Sequence, residues 1–192
     1  MSDALIVVDV QNLFVDMVGA RGPAVVAEVN RHVAEAAERG APVFYTRDYA
    51  PIDLPDGDPE GQTSLHPDLD VRGTVVEKGP GKRGGFSGFL LAPVLEPQQG
   101  HGGGGLGPLA GLLADTGARS VTVVGIATDI CVAATARDAV RLGYRVTIPL
   151  DATAYANPVT GGEHPVLGEL RAAGVTLLAG GSQPVKFTSL QK

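Results

Sequence analysis

The sequence predicts an α/β protein, a three-layer α/β/α sandwich around a six-stranded, mainly parallel sheet. Short runs rich in Val and Ile alternate with longer segments whose apolar residues recur at helical spacing, the pattern of repeated strand–helix units. Those short runs are apolar throughout rather than alternating, which marks strands buried on both faces. The length, 192 residues with 44% apolar composition, suffices for one sizeable core. Residues 1–192 are expected to form a single domain with its core over about 4–180 and a short C-terminal tail.

The first strand is expected at residues 4–8, ending on Asp9. A helix over 23–39 follows, with Val25, Val26, Val29, Val33, Ala36 and Ala37 as its apolar stripe and Gly40 as its stop. Further strands are expected at 43–46, 74–77, 121–125, 145–149 and 175–178, and helices near 106–116, 131–142 and 163–173. Two long loops remain, 48–73 and 79–107; in compact domains such loops often bind ligands. The second contains the glycine run 102–105, which lacks a following Lys-Ser or Lys-Thr and reads as a flexible loop rather than a phosphate cradle.

Composition excludes several classes of function. A net charge of -6 with no basic run argues against nucleic acid as a partner. No apolar run reaches the roughly 20 residues of a membrane span, and the N-terminus lacks the basic region of a signal peptide, so a cytoplasmic protein is expected. No Gly-x-Gly-x-x-Gly follows the first strand, so no dinucleotide cofactor is implied. One cysteine, Cys131, excludes an internal disulfide and leaves that thiol free for chemistry.

In an open parallel sheet, ligands bind beyond the carboxyl ends of the strands. Asp9 closes the first strand, Lys78 follows the third, and Cys131 opens a helix shortly after the fourth. A helix N-terminus and a neighbouring ammonium would both lower the thiol pKa. Asp9 could take the thiol proton and return it to a departing amine, with Lys78 in electrostatic support. The backbone N–H groups of Ala127 and Cys131 could receive the oxyanion. Each residue also has a structural reading: a lone Cys is commonly a small core hydrophobe, and a carboxylate at a strand end is commonly a cap or ion-pair partner.

The segment Gly125-Ile-Ala-Thr-Asp-Ile-Cys131-Val, with Thr135-Ala-Arg-Asp-Ala139 after it, resembles the nucleophile motif of the isochorismatase-like cysteine hydrolases. Asp9-Val-Gln11-Asn12 with Phe14, and Lys78-Gly with Phe86-Ser-Gly-Phe89, agree in order and placement, and the similarity covers about residues 4–180. Within that superfamily the chain is most similar to nicotinamidase-type members. The resemblance implies a catalytic triad of Asp9, Lys78 and Cys131, amide hydrolysis through a thioester, a cis peptide at Ile126–Ala127 and a homodimer or larger homo-oligomer. It also implies a substrate pocket near Gln11, Phe14 and Phe86, with Arg83 or Lys82 as a basic contact.

In one respect the chain departs from nicotinamidases, which bind a divalent metal through a motif of Asp, an aromatic residue and His. Here Asp48-Tyr49-Ala50 places Ala50 where the imidazole should be, and the following loop contains only His66. A transition-metal site normally takes about three protein ligands, so no metal and no other cofactor is expected. The expected substrate is then a small amide other than nicotinamide. Nicotinamidase activity, an isochorismatase-type vinyl-ether hydrolase and a catalytically silent ligand-binding member are the alternatives.

Overall fold

The computed structural model describes residues 3–54, 57–58, 60–90 and 105–179. Glycines 102–104 and the tail beyond residue 179 lie outside them. In chain order the elements are β1 (Ala4–Val8), α1 (Asn12–Met17), α2 (Gly22–Glu38), β2 (Val43–Asp48), β3 (Thr74–Lys78) and α3 (Pro108–Asp115). There follow β4 (Ser120–Ile126), α4 (Ala133–Arg141), β5 (Arg145–Pro149), β6 (Thr153–Ala154), α5 (Pro165–Ala172) and β7 (Thr176–Leu178).

The strands form one parallel sheet in the order β3-β2-β1-β4-β5-β7, with the two-residue β6 pairing on β4. Among the described residues the sheet therefore has seven strands, one more than the periodicity predicts. Its core strand β1 is buried along its whole length, and its side chains alternate between two apolar clusters. Leu5 and Val7 pack with Val25, Val29 and Val33 of α2 on one face. Ile6 and Val8 pack with Leu109 of α3, Ala136 of α4 and Leu170 of α5 on the other. Helices on both faces explain why the strands read as apolar throughout.

In α2 the predicted stripe is buried from Val25 to Ala36, but Ala37 is exposed. It lies one residue past Ala36, about 100° around the helix and off the buried face. Helix α1, absent from the sequence reading, follows β1 almost at once.

Chain order reverses direction at β1. From it the chain moves outward to β2 and β3, then returns to the other side of β1 for β4 and β5. The carboxyl ends of β1 and β4 therefore lie at a topological switch point, where open α/β sheets leave a crevice. Val8 is in register with Gly125, so Asp9 and the segment after Ile126 leave the sheet side by side. Gly125 makes this proximity possible: it has φ of 113°, and a Cβ there would lie 2.1 Å from the Val8 carbonyl oxygen. Only glycine meets both conditions.

Candidate active site

Asp9, Lys78 and Cys131 converge at that switch point. Asp9 leaves β1 with φ of 48°, a left-handed conformation in which Asp is more frequent than most residues. Thr46, on the adjacent strand, donates from Oγ1 to Asp9 Oδ1 at 2.6 Å, while the Asp9 N–H is within 3.2 Å of Thr46 Oγ1. The carboxylate is thereby held from the neighbouring strand.

Lys78 is the last residue of β3, not the residue beyond it, and is fully buried. Its Nζ lies 2.8 Å from Asp9 Oδ2. It donates to Cys131 Sγ at 3.4 Å and to the Phe86 carbonyl at 2.7 Å. Asp9 Oδ2 is the oxygen that faces the ammonium in this fully buried ion pair, and the Asp9 carboxylate also lies within hydrogen-bonding reach of the Cys131 thiol.

Cys131 sits in a π-helical turn, Thr128–Val132, that precedes α4; the helix proper begins at Ala133. Both Ile130 and Val132 donate their N–H to the Ala127 carbonyl, at 3.1 and 3.0 Å. Such turns occur frequently at functional sites. Thr128 Oγ1 bonds Thr153 Oγ1 at 2.9 Å, and the Asp129 carboxylate accepts the N–H groups of Ala156 and Asn157. These bonds fasten the turn to the segment from β6 onward. The peptide Ile126–Ala127 is cis, as the resemblance implies.

The electrostatics correct one expectation. Burial, and then the charge of Asp9, raise the Cys131 pKa, and the opposing pull of Lys78 does not cancel them. The resting thiol is therefore protonated. Burial alone would depress Lys78, but the Asp9 carboxylate overrides it and the ammonium is pushed up to about 12.

Cys131 opens onto a cavity of about 160 Å³. Phe14, Met17, Pro51, Phe86 and Ile130 give it apolar walls, and Asp48, Gly81, Lys82 and Ala127 complete the lining. A polar cavity of about 560 Å³ also has Lys82 in its wall, with Arg47, Tyr49 and Asp53. Of the predicted pocket residues, Phe14 and Phe86 line the inner cavity, whereas Gln11 and Arg83 line neither. Gln11 is fully buried, and its amide bonds the backbone of Asp48 and the Thr63 carbonyl. Arg83 is exposed at a tight turn, Gly81–Arg83, where the adjacent Lys82 takes the wall position. The residues that sequence reasoning missed are Thr46, Thr128 and Asp129. Asp129 stood inside the recognised motif; nothing in the sequence tied Thr46 to Asp9.

Asp48 is a buried member of the inner cavity's lining. Its Oδ1 accepts from Ala50 N–H at 3.1 Å and its Oδ2 from Gly81 N–H at 2.7 Å. Burial raises its pKa. No group of three His, Cys, Asp or Glu side chains among the described residues could hold a metal ion, and His66 Nδ1 accepts from Asp68 N–H.

Residues 3–179 match the isochorismatase domain. The chain belongs to the isochorismatase family. Among its relatives, this isochorismatase-family chain is 34% identical to the nicotinamidase/pyrazinamidase of Mycobacterium tuberculosis, covering 91% of this chain and 97% of that protein. It is 30% identical to the ureidoacrylate amidohydrolase of Pseudomonas syringae, over 81% of this chain and 71% of the relative. The crystal structure of the Pyrococcus horikoshii pyrazinamidase in complex with zinc superposes with a TM-score of 0.65 at 25% identity, over 93% of this chain and 99% of that one. Among the described residues no helix is long and apolar enough to cross a membrane.

Proposed function

We propose that this protein cleaves the carbon–nitrogen bond of a small amide through a thioester on Cys131, with Asp9 as general base and acid and Lys78 in electrostatic support. The chain is an isochorismatase-family amidohydrolase. The observation that carries the residue roles is the buried cluster in which one ammonium lies 2.8 Å from the Asp9 carboxylate and 3.4 Å from the Cys131 sulfur, beside an apolar cavity.

Because the resting thiol is protonated, attack on the substrate carbonyl is coupled to transfer of its proton to Asp9. The sulfur–carbon bond forms as the carbonyl π electrons move onto oxygen, where the N–H groups of Ala127 and Cys131 are placed in this reading to receive them. Collapse breaks the carbon–nitrogen bond, and Asp9 returns the proton to the leaving amine. Water then attacks the thioester with Asp9 again as base, releasing the acid and restoring the thiol. Lys78 remains an ammonium throughout, consistent with its raised pKa.

No step is routed through a metal in this reading, because Ala50, which stands where nicotinamidases carry a metal-binding imidazole, offers no ligand atom. That reading favours an amide other than nicotinamide as the substrate, and a homo-oligomeric cytoplasmic enzyme is part of the same proposal. The test is intact-mass detection of an acyl-enzyme after exposure to primary, carbamoyl and ureido amides together with nicotinamide, in buffer with and without chelator. An adduct on Cys131 that is absent from Cys131→Ala and unaffected by chelator is the expected result. Turnover retained in Cys131→Ala would refute the nucleophile.

A further inference from the structure

We propose that His164 is a positioning residue for the nucleophile: as a neutral imidazole it ties the segment 155–157 to the head of α5 and so, through Asp129, holds the turn that presents Cys131, and acid loosens that hold. The proposal rests on Cys131 as the nucleophile and concerns what keeps it in place.

Asp129 stands two residues before Cys131 in the same π-helical turn. Its carboxylate is held from one segment: Oδ1 accepts the Ala156 N–H at 2.8 Å, and Oδ2 accepts the Asn157 N–H at 3.0 Å and the Asn157 Nδ2 at 2.8 Å. The same Asn157 turns its carbonyl to His164 Nε2, 3.0 Å away. The His164 ring stacks on Tyr155, with centroids 4.6 Å and planes 14° apart, and its Nδ1 accepts the Val166 N–H at 3.2 Å as the N-cap of α5. Asn157 is thus gripped on one side by the nucleophile turn and on the other by the imidazole. Release of the second grip leaves Asp129 bonded to a stretch of chain whose return to α5 is no longer closed.

The two ring contacts call for opposite protonation. A carbonyl only accepts, so Nε2 carries a proton; the Val166 N–H only donates, so Nδ1 carries none. One neutral tautomer satisfies both contacts, and the imidazolium satisfies only one. A proton on Nδ1 sets a donor against the Val166 N–H and places positive charge at a helix N-terminus, where the macrodipole opposes it. Asp129, Glu163 and Arg171 are the charges that act on Tyr155, the ring in the stack, and each is committed: Asp129 to its three N–H donors, Glu163 and Arg171 to each other through two bonds. Arg137 of α4 and Glu169 of α5 likewise pair with one another.

The test follows amide hydrogen exchange, corrected for intrinsic rates, at about pH 7.5 and about pH 5.5, which bracket ordinary imidazole titration. In wild type, protection of residues 155–157 and 128–132 should fall by about tenfold at the lower pH, the equivalent of one hydrogen bond. His164→Asn, which keeps an N-cap acceptor and takes up no proton in this range, should show the same protection at both pH values. Acylation of Cys131 by the fastest amide of the panel should show the same contrast, with the ratio of wild-type to His164→Asn rates falling by about tenfold on acidification; Asp9 is common to both proteins and cancels. His164→Phe, which keeps the stack and loses both bonds, should be slow at both pH values through kcat rather than KM. Equal protection at both pH values in wild type, an equal fall in His164→Asn, or full activity in His164→Phe would overturn the proposal, and wild-type exchange decides even where a variant does not fold. If no amide acylates Cys131, the nucleophile reading fails, while the exchange measurement still decides whether His164 holds the turn.

Discussion

The side-chain amide of Gln11 pairs with the backbone of Asp48 as a second peptide would: Nε2 donates to the Asp48 carbonyl at 2.9 Å, and Oε1 accepts the Asp48 N–H at 2.8 Å. The other Nε2 proton goes to the Thr63 carbonyl at 2.7 Å. One side chain thus joins the end of β2 to the loop beyond it. Gln11→Ala would leave these buried groups unpaired and should cost about 3 kcal/mol, measured by urea unfolding. Gln11→Glu, which keeps the acceptors but loses the donors, should not restore the loss.

Lys78→Met should destabilise the fold by about 3–5 kcal/mol, because it strands the Asp9 carboxylate in a fully buried site. The double variant Asp9→Asn/Lys78→Met should recover part of that stability and none of the activity. Chemical denaturation of the two variants side by side measures both effects.

Thr46→Val tests the orientation of the carboxylate. Loss of the 2.6 Å bond to Asp9 Oδ1 should lower kcat by about tenfold with little change in KM, as expected for a hydrogen bond to a charged group. Thr46→Ser should retain most of the rate. Steady-state kinetics on any amide that acylates Cys131 provides the measurement.

Alkalinity should weaken the fold through Cys131. Its folded pKa lies above the ordinary 9.0, so the folded thiol keeps its proton while the unfolded thiol loses it. Stability from this group is complete below that value and declines as pH rises beyond it. Tyr45 and Lys78 are also raised, from 10.0 and 10.5, so their declines begin later. Between about pH 9 and 10 the slope of unfolding free energy against pH should be negative in wild type and largely absent in Cys131→Ala. Iodoacetamide should label the free enzyme slowly at neutral pH for the same reason.

The sheet was legible because its central strands are buried on both faces and so stand out as unbroken apolar runs. Two short elements were not. Helix α1 is six residues long, too short for an apolar stripe to repeat, and β6 is two residues paired on β4. The convergence of Asp9, Lys78 and Cys131 followed from strand ends and from resemblance, but the direction of the thiol pKa did not. That direction depends on burial and on the nearness of Asp9, which no spacing encodes. Gln11 and Phe14 belong to the same short motif, yet one turns onto backbone and the other lines the cavity. Between Lys82 and Arg83 only the geometry of the turn decides which side chain reaches the wall.

Lys78 also bonds the carbonyl of Phe86, the residue that walls the cavity over Cys131. The ammonium beside the thiol therefore also anchors part of the cavity wall. Chemistry and fit share one fastener, and any replacement of Lys78 alters both together. Reshaping this enzyme for a different amide must begin elsewhere, at cavity-lining side chains such as Phe14 and Lys82, which are bonded to none of Asp9, Lys78 and Cys131.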